Sequence, residues 1–69
     1  MEHISQKIIY LGNLRNGQFF RPVYDCEVSP LYKYQRLYSK DQVVTVIDPW
    51  NTFYKLPSVL PVRRVIEAE

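Results

Sequence analysis

The sequence predicts a mostly β protein: a small five-stranded antiparallel barrel or strongly bent sheet that also accommodates a short helix or 3₁₀ turn. Three observations in the last third of the chain predict it. Val43–Ile47 is an unbroken run of β-branched residues, residues 48–51 (Asp-Pro-Trp-Asn) have turn chemistry, and two further short runs follow at residues 53–56 and 62–66. Strand, turn, strand, tight connector and strand is the order in which small β-barrels finish.

The length and composition indicate one domain that needs extra stabilisation. The chain has 69 residues, and we expect residues 1–6 to be a flexible N-terminus and residues 7–69 to form the domain. A chain this short buries only about 60% of the surface that its unfolded form exposes. Its single cysteine, Cys26, excludes an internal disulfide, and its only histidine, His3, is far from Cys26 in sequence, so we expect no metal or cofactor. Dense aromatic packing and oligomerisation remain as sources of stability, since there are six Tyr, three Phe and one Trp.

The charge balance and the apolar pattern narrow the functional classes. The net charge is +2 and the isoelectric point is about 8.8, just short of the value of about 9 that is typical of nucleic-acid-binding domains. No apolar run approaches the roughly 20 residues of a membrane span, and the N-terminus lacks the pattern of a signal peptide. We therefore expect no contact with a membrane and a cytoplasmic location.

The first half of the chain predicts two strands. Residues 7–11 (KIIYL) form the first candidate, and Asn16 and Gly17 make a dipeptide that favours a hairpin turn. Residues 20–28 then alternate with period two, which places Phe20, Tyr24, Cys26 and Val28 on one face. Pro22 has no N–H, so that end of the strand is expected at an edge or a bulge. Cys26 is predicted to be a buried core cysteine.

Residues 31–38 (LYKYQRLY) fit two descriptions. The density of tyrosine favours a strand, whereas Ser29 as a cap and Pro30 at the first helical position favour a helix. We favour the strand, which would carry one set of side chains on one face: Tyr32, Tyr34, Arg36 and Tyr38.

The strand Val43–Ile47 has no polar face. Val44 and Val46 lie on one side of it and Val43, Thr45 and Ile47 on the other, so it is expected to be central or to be covered by another subunit. Apolar runs on both faces of so small a sheet exceed what one core needs, and we therefore favour a homodimer or a subunit of a larger complex. The predicted core consists of Ile8, Tyr10, Phe20, Tyr24, Cys26, Val28, Val44, Val46, Phe53, Leu56, Leu60, Val65 and Ile66.

The end of the chain resembles the close of SH3-like barrels. In those barrels a fourth strand enters a short 3₁₀ turn and a fifth strand leaves it, as residues 56–60 (LPSVL) and 62–66 (VRRVI) would do here. Residues 57–61 are thus expected to form a tight turn, with 3₁₀ geometry as one form of it. SH3 domains often read P-S-N-Y-V at this point, whereas this chain reads P-S-V-L-P-V. It also lacks the acidic loop and paired tryptophans of polyproline-binding SH3 domains, so the resemblance covers about thirty residues and implies a fold but no activity.

The residues give little support to catalysis. Asp25 and Glu27 lie two positions apart, as the solvated side of a half-buried strand does, and His3 has no second histidine to work with. The chain contains no phosphate-binding glycine loop, nucleophile elbow or zinc-protease motif. We therefore expect a non-catalytic protein. An enzyme subunit whose active site forms between protomers is a third hypothesis, weaker than the two binding functions that follow.

Two binding functions remain. The leading hypothesis is an interaction module that binds a protein partner, or a second copy of itself, through Tyr32, Tyr34, Tyr38 and Trp50, since aromatic residues are enriched at interfaces. Trp50, in a turn, is expected either to anchor a partner or to fold back as a lid on the end of the barrel.

The alternative hypothesis is nucleic-acid binding. Lys33, Arg36 and Lys40 interleave with the same tyrosines in a stretch without an acidic residue. Rings that stack on bases and cations that neutralise phosphates are what single-strand binding needs.

Overall fold

The computed structural model describes residues 2–67, which form six antiparallel strands in one sheet. The part of the chain so described contains one short 3₁₀ turn, Leu11–Asn13, and no α-helix, hence no helix that could span a membrane. The strands are β1 (Glu2–Tyr10), β2 (Phe19–Pro22), β3 (Tyr34–Lys40), β4 (Val43–Ile47), β5 (Phe53–Pro57) and β6 (Pro61–Glu67). The prediction of a mostly β protein is confirmed, with one strand more than expected.

The spatial order of the strands is β1-β6-β2-β3-β4-β5. The last strand lies between the first two, so β6 is hydrogen-bonded on both sides, to β1 and to β2. β1 and β5 form the two edges, and the sheet is not closed. The barrel form of the prediction is therefore not confirmed, whereas an antiparallel sheet is.

The expectation for β4 is correct. It pairs with β3 on one side and with β5 on the other. Val44 and Val46 are fully buried on the inner face of the sheet, which we define as the face that carries the core. The other side chains of β4 point to the opposite face, as the period of two requires.

The first strand and the last connector differ in detail from the expectation. β1 begins at Glu2 rather than at Lys7, so it includes residues that the sequence assigned to a flexible terminus; their mobility stays a prediction. Residues 57–61 do form a tight turn, in which the Leu60 N–H donates to the Pro57 carbonyl oxygen at 3.1 Å. The 3₁₀ geometry lies elsewhere, directly after β1 at Leu11–Asn13.

The core lies on the inner face and is completed by loop residues. Seven of the predicted core residues are buried: Phe20, Val28, Val44, Val46, Leu56, Leu60 and Val65. Four buried aliphatic or aromatic residues were not predicted: Leu11, Leu14, Tyr34 and Val62. Six predicted core residues are instead exposed: Ile8, Tyr10, Tyr24, Cys26, Phe53 and Ile66. Most of these six lie on strand faces that the core does not cover, or in the long β2–β3 loop.

The predicted strand over residues 20–28 is wrong beyond Pro22. The chain leaves the sheet there and passes through bends until Tyr34. Alternation alone does not make a strand, because a strand also needs a neighbour to accept its hydrogen bonds, and β2 already has β6 and β3 beside it. Cys26 is therefore exposed in this loop, and its prediction as a core residue is wrong.

The strand interpretation of residues 31–38 is correct from Tyr34 onward, but its side chains do not share one face. A β-bulge lies between Arg36 and Tyr38 in the pairing with β4. Tyr34 and Arg36 point to the inner face and are buried, while Tyr38 lies opposite Thr45 on the other face. The extra residue of a bulge reverses the alternation, and the sequence does not reveal it.

Candidate binding surface

The face of the sheet that points away from the core, here called the outer face, carries a continuous row of mostly apolar side chains. The register aligns one residue from every strand, in the order Ile4, Val65, Phe19, Gln35, Ile47 and Phe53. Residues directly opposite each other have Cβ atoms about 5 Å apart, so the row crosses the whole sheet. Val65 is buried on this face, outside the main core cluster.

Cations flank this row. In register order the outer face also carries Arg21, Arg63, Lys40 and Lys55. Between residues 3 and 66, no outer-face strand position holds Asp or Glu. These strand positions are thus apolar, uncharged or basic, while the neighbouring turns supply Asp41 and Asp48.

Lys33 extends this pattern from the loop before β3. Its Nζ lies 4.6 Å from the centroid of the Phe19 ring, a cation–π contact. The contact places Lys33 beside the middle of the apolar row. A shallow cavity of about 270 Å³ opens at the same place, lined by Phe19, Lys33, Gln35, Ile47, Asp48, Pro49 and Asn51.

A second cavity lies at the β3–β4–β5 side of the outer face. It has a volume of about 410 Å³ and is lined by Tyr38, Lys40, Asp41, Val43, Thr45 and Lys55. The Tyr38 ring is exposed there, on the same strand as Lys40 and two strands away from Lys55. The lining thus combines one aromatic ring with two lysines and the carboxylate of Asp41.

Trp50 is displayed at the end of the sheet by the β4–β5 turn. Its side chain is 64% exposed, and its ring meets the ring of Tyr32 edge to face with centroids 4.8 Å apart. Of the two expectations for Trp50, the structure therefore shows an exposed residue and not a lid over the core. Two aromatic rings that support each other at a loop tip lose little conformational entropy on binding.

Asp48 holds the turn that displays Trp50. One carboxylate oxygen, Oδ1, accepts the backbone N–H groups of Trp50 and Thr52, both at 2.8 Å, and Oδ2 accepts the hydroxyl of Tyr54 at 3.1 Å. Burial raises the pKa of the Asp48 carboxyl, but these hydrogen bonds to the ionised form outweigh it and leave the pKa below its ordinary value. Asn51 completes the turn with a positive φ of 66°, which asparagine tolerates.

Tyr34 belongs to the core and not to the surface. It is 3% exposed, stacks on Phe20 with centroids 5.9 Å apart, and accepts the Ser29 N–H on its hydroxyl oxygen. Burial raises the pKa of its phenol. In this conformation its ring is closed to a partner.

Arg36 is likewise a scaffold residue. Its side chain is 8% exposed, and its guanidinium donates to the carbonyl oxygens of Leu11, Gly12 and Leu14. Further hydrogen bonds reach Asn16 Oδ1 at 3.1 Å and Ser39 Oγ at 2.8 Å. These contacts tie the 3₁₀ turn to β3 and use the donors that a phosphate would need.

The structure thus sorts the seven predicted binding residues into three groups. Lys33, Tyr38 and Lys40 reach the outer face, Tyr32 and Trp50 form one contact at the end of the sheet, and Tyr34 and Arg36 are buried.

Comparisons with protein-family models, curated proteins and solved structures find no significant match.

The functional assignment therefore depends on the geometry of this surface. Sequence reasoning missed most of its members, among them Phe19, Ile47, Phe53, Arg21, Arg63 and Lys55. The sequence contained one indication of this surface: β4 has apolar residues on both faces, which predicts that its second face is also covered. The row itself was hidden by the insertion of β6 between β1 and β2.

Proposed function

We propose that this protein is a non-catalytic interaction module that binds a protein partner against the outer face of its sheet. The observation that carries the proposal is the apolar row that runs from Ile4 to Phe53 across all six strands. Contiguous apolar surface of this kind on a small protein marks an interaction site.

The exposure of the row supports the same function. Phe53, at its β5 end, is 62% exposed, and Ile4, at its β1 end, is also exposed. Phe19 and Ile47 are half-buried between them. A partner that covered the row would remove this apolar surface from water, at a gain of roughly 25 cal/mol per Å².

The charges favour a partner with acidic residues. Arg21, Arg63, Lys40 and Lys55 flank the row, and the described strand positions of this face between residues 3 and 66 carry no carboxylate. A second copy of this chain would bring the same cations face to face with these, which opposes self-association through this surface. We therefore favour a different protein over the homodimer that the sequence suggested, and we assign Tyr32 and Trp50 as the anchor at the rim.

The experiment is affinity capture from native extract, with and without nuclease, using three baits. These are the wild type, Phe53→Ser on the outer face, and Val59→Ser in the β5–β6 turn, a control residue that is 65% exposed and lies in no strand. The proposal expects one protein that the wild type and Val59→Ser retain, that Phe53→Ser loses, and that nuclease does not release. If the Phe53→Ser bait captures the same protein as the wild type, the proposal is contradicted.

Single-stranded nucleic acid is the second candidate, favoured by the cavity at Tyr38. Tyr38 offers a ring for base stacking, and Lys40 and Lys55 offer two phosphate contacts beside it. Arg36, which the sequence assigned to this role, is engaged within the fold and leaves the hypothesis.

This candidate makes a separate quantitative prediction. The logarithm of the affinity for an oligonucleotide should fall with the logarithm of the salt concentration, and each phosphate contact that is removed should reduce that slope by about one. Lys40→Gln and Lys55→Gln together should therefore flatten it by about two, while Arg15→Gln should leave it unchanged. Equal slopes for all three proteins remove the nucleic-acid candidate.

We also propose an SH3-like path for the last strands and a reducing, cytoplasmic setting for the protein. An SH3-like path of the last strands is supported by the tight turn between β5 and β6, in which Leu60 N–H donates to Pro57. A reducing, cytoplasmic setting is supported by the single cysteine, Cys26, which is exposed.

A further inference from the structure

Two arginines lie directly opposite each other on the outer face. Arg21 of β2 pairs with Arg63 of β6 in the antiparallel register, so their Cβ atoms are about 5 Å apart. Like charges in that position destabilise a sheet unless something neutralises them. Between residues 3 and 66, no outer-face strand position supplies a carboxylate to do so.

Both guanidinium groups also keep an unused donor. The Nε atoms of Arg21 and Arg63 are shielded from solvent, and neither has a hydrogen-bond acceptor among the described residues. Buried donors are nearly always paired in folded proteins. Two such donors in one cross-strand pair point to an acceptor that the chain does not itself provide.

The surroundings hold the pair in place and add positive charge. The Nη2 of Arg21 donates to the Leu31 carbonyl oxygen at 3.3 Å, which ties this guanidinium to the loop before β3. Phe19 stands two residues before Arg21 on the same face, and the ammonium group of Lys33 lies over its ring. On the other side of Arg63, β1 places Ile8, an exposed apolar residue.

We propose that Arg21 and Arg63 together form a binding site for an oxyanion, a carboxylate or phosphate group that accepts hydrogen bonds from both guanidinium groups. Arginine presents Nε–H and Nη–H as a fork that matches two oxygen atoms. One anion between the two guanidinium groups cancels the repulsion of the pair, and it pairs the shielded Nε donors once the two side chains turn to face it. The site itself does not depend on the proposed docking function. Only one source of the anion rests on that function: an acidic side chain of a docked protein would supply the carboxylate.

The test follows the Nε–H resonances of all arginines in ¹⁵N-labelled protein during two titrations, one with sodium acetate and one with sodium phosphate, at constant ionic strength kept with sodium chloride. The site predicts a saturable shift at Arg21 and Arg63 with one shared dissociation constant, and none at Arg64, the neighbour on the inner-face side of β6. Saturation by acetate assigns a carboxylate, and saturation by phosphate alone assigns a phosphate group. Small, linear and equal shifts at every arginine overturn the proposal.

Variants separate this site from a structural role of the arginines. Arg21→Gln and Arg63→Gln should each weaken anion binding roughly tenfold or more, Arg63→Lys should weaken it because the fork is lost, and Arg64→Gln should leave it unchanged. In chloride, Arg63→Gln should melt no lower than the wild type, since it removes a like-charge pair. A clearly lower melting temperature in chloride would assign Arg63 to the fold and overturn the proposal.

The outcomes also separate the site from the docking function. If Arg63→Gln abolishes anion binding while Phe53→Ser still captures the same protein, the anion site is supported and the docking surface is refuted. If Phe53→Ser loses the captured protein but no arginine shows saturable anion binding, the docking surface is supported and the anion site is refuted.

Discussion

Tyr54 donates its hydroxyl hydrogen to the carboxylate of Asp48 at 3.1 Å, and so clamps the start of β5 to the end of β4. The same carboxylate accepts the backbone N–H groups of Trp50 and Thr52. The turn that exposes Trp50 is therefore held by one ionised side chain together with the backbone hydrogen bonds that Asp48 makes with Asn51 and Thr52, and the part that the side chain contributes is sensitive to acid.

The first prediction concerns the stability of the protein at low pH. The pKa of Asp48 lies below its ordinary value in the folded protein, so the unfolded chain binds the proton more readily. The contribution of Asp48 to the free energy of unfolding is thus present above its ordinary pKa of about 3.9 and is lost as the pH falls through the folded value. Urea titrations between about pH 6 and pH 2 measure it.

Asp48→Asn should remove that part of the pH dependence, and it should also quench or shift the fluorescence of Trp50 at neutral pH. Asp41→Asn is the matched control, because Asp41 occupies the β3–β4 turn with φ of 58°, a conformation that asparagine adopts equally well. If both variants keep the acid dependence of the wild type, the role of Asp48 is refuted.

The second prediction concerns the buried guanidinium of Arg36. Arg36→Met removes the donors for the carbonyl oxygens of Leu11, Gly12 and Leu14. The Leu11 carbonyl oxygen keeps the Leu14 N–H as a donor, and Gly12 is exposed, so the Leu14 carbonyl oxygen is the buried acceptor that loses its donor. An unpaired buried carbonyl group costs about 1–3 kcal/mol, and we expect the free energy of unfolding to fall by about that amount. Arg15→Met, at an exposed position in the same loop, should change it by less than about 0.5 kcal/mol. Equal effects in chemical denaturation would contradict the assignment of Arg36 to the fold.

The third prediction tests the unexpected start of the core. Leu11 is fully buried in the 3₁₀ turn, while Ile8, three residues earlier, is exposed on β1. Leu11→Ala should lower the free energy of unfolding by about 2–5 kcal/mol through lost burial and a residual cavity. Ile8→Ala should lower it by far less. The sequence pattern ranks the two residues in the opposite order, so the denaturation midpoints distinguish them.

The sequence predicts the fold best where a strand has neighbours on both sides. In β4, Val44 and Val46 alternate as expected because burial on the inner face fixes the register. It predicts least where the pairing partner is distant in the chain. The position of β6 between β1 and β2 depends on contacts between residues that are forty or more positions apart, and no local pattern encodes it.

The sequence predicts that a surface with aromatic and basic residues exists, but it does not predict which residues form that surface. Tyr34 and Tyr38 look equivalent in the sequence, yet the bulge after Arg36 buries the first and exposes the second. Cys26 falls in a fully alternating stretch, but the chain leaves the sheet at Pro22, so the alternation has no partner strand. Both errors arise from local backbone geometry that side-chain periodicity does not record.

The fourth prediction follows from the position of Cys26. Its thiol is exposed in the β2–β3 loop, where the Sγ lies 3.8 Å from the Val28 carbonyl oxygen. Ellman's reagent should titrate one thiol per chain in the native protein without denaturant. Mild oxidation should then produce a disulfide-linked dimer on a non-reducing gel, absent in Cys26→Ser. A thiol that reacts only after unfolding would show that the residue is buried.

The docking of a protein partner on the outer face is the central claim, and site-specific photo-crosslinking tests it most directly. A photoreactive benzoyl-phenylalanine replaces Phe53 or Tyr38 on the outer face, or Val59 in the β5–β6 turn, in a protein irradiated in native extract after nuclease treatment. We expect a discrete cross-linked protein from positions 53 and 38 and none from position 59. Cross-links from position 59 alone, or equally from all three positions, would contradict the account.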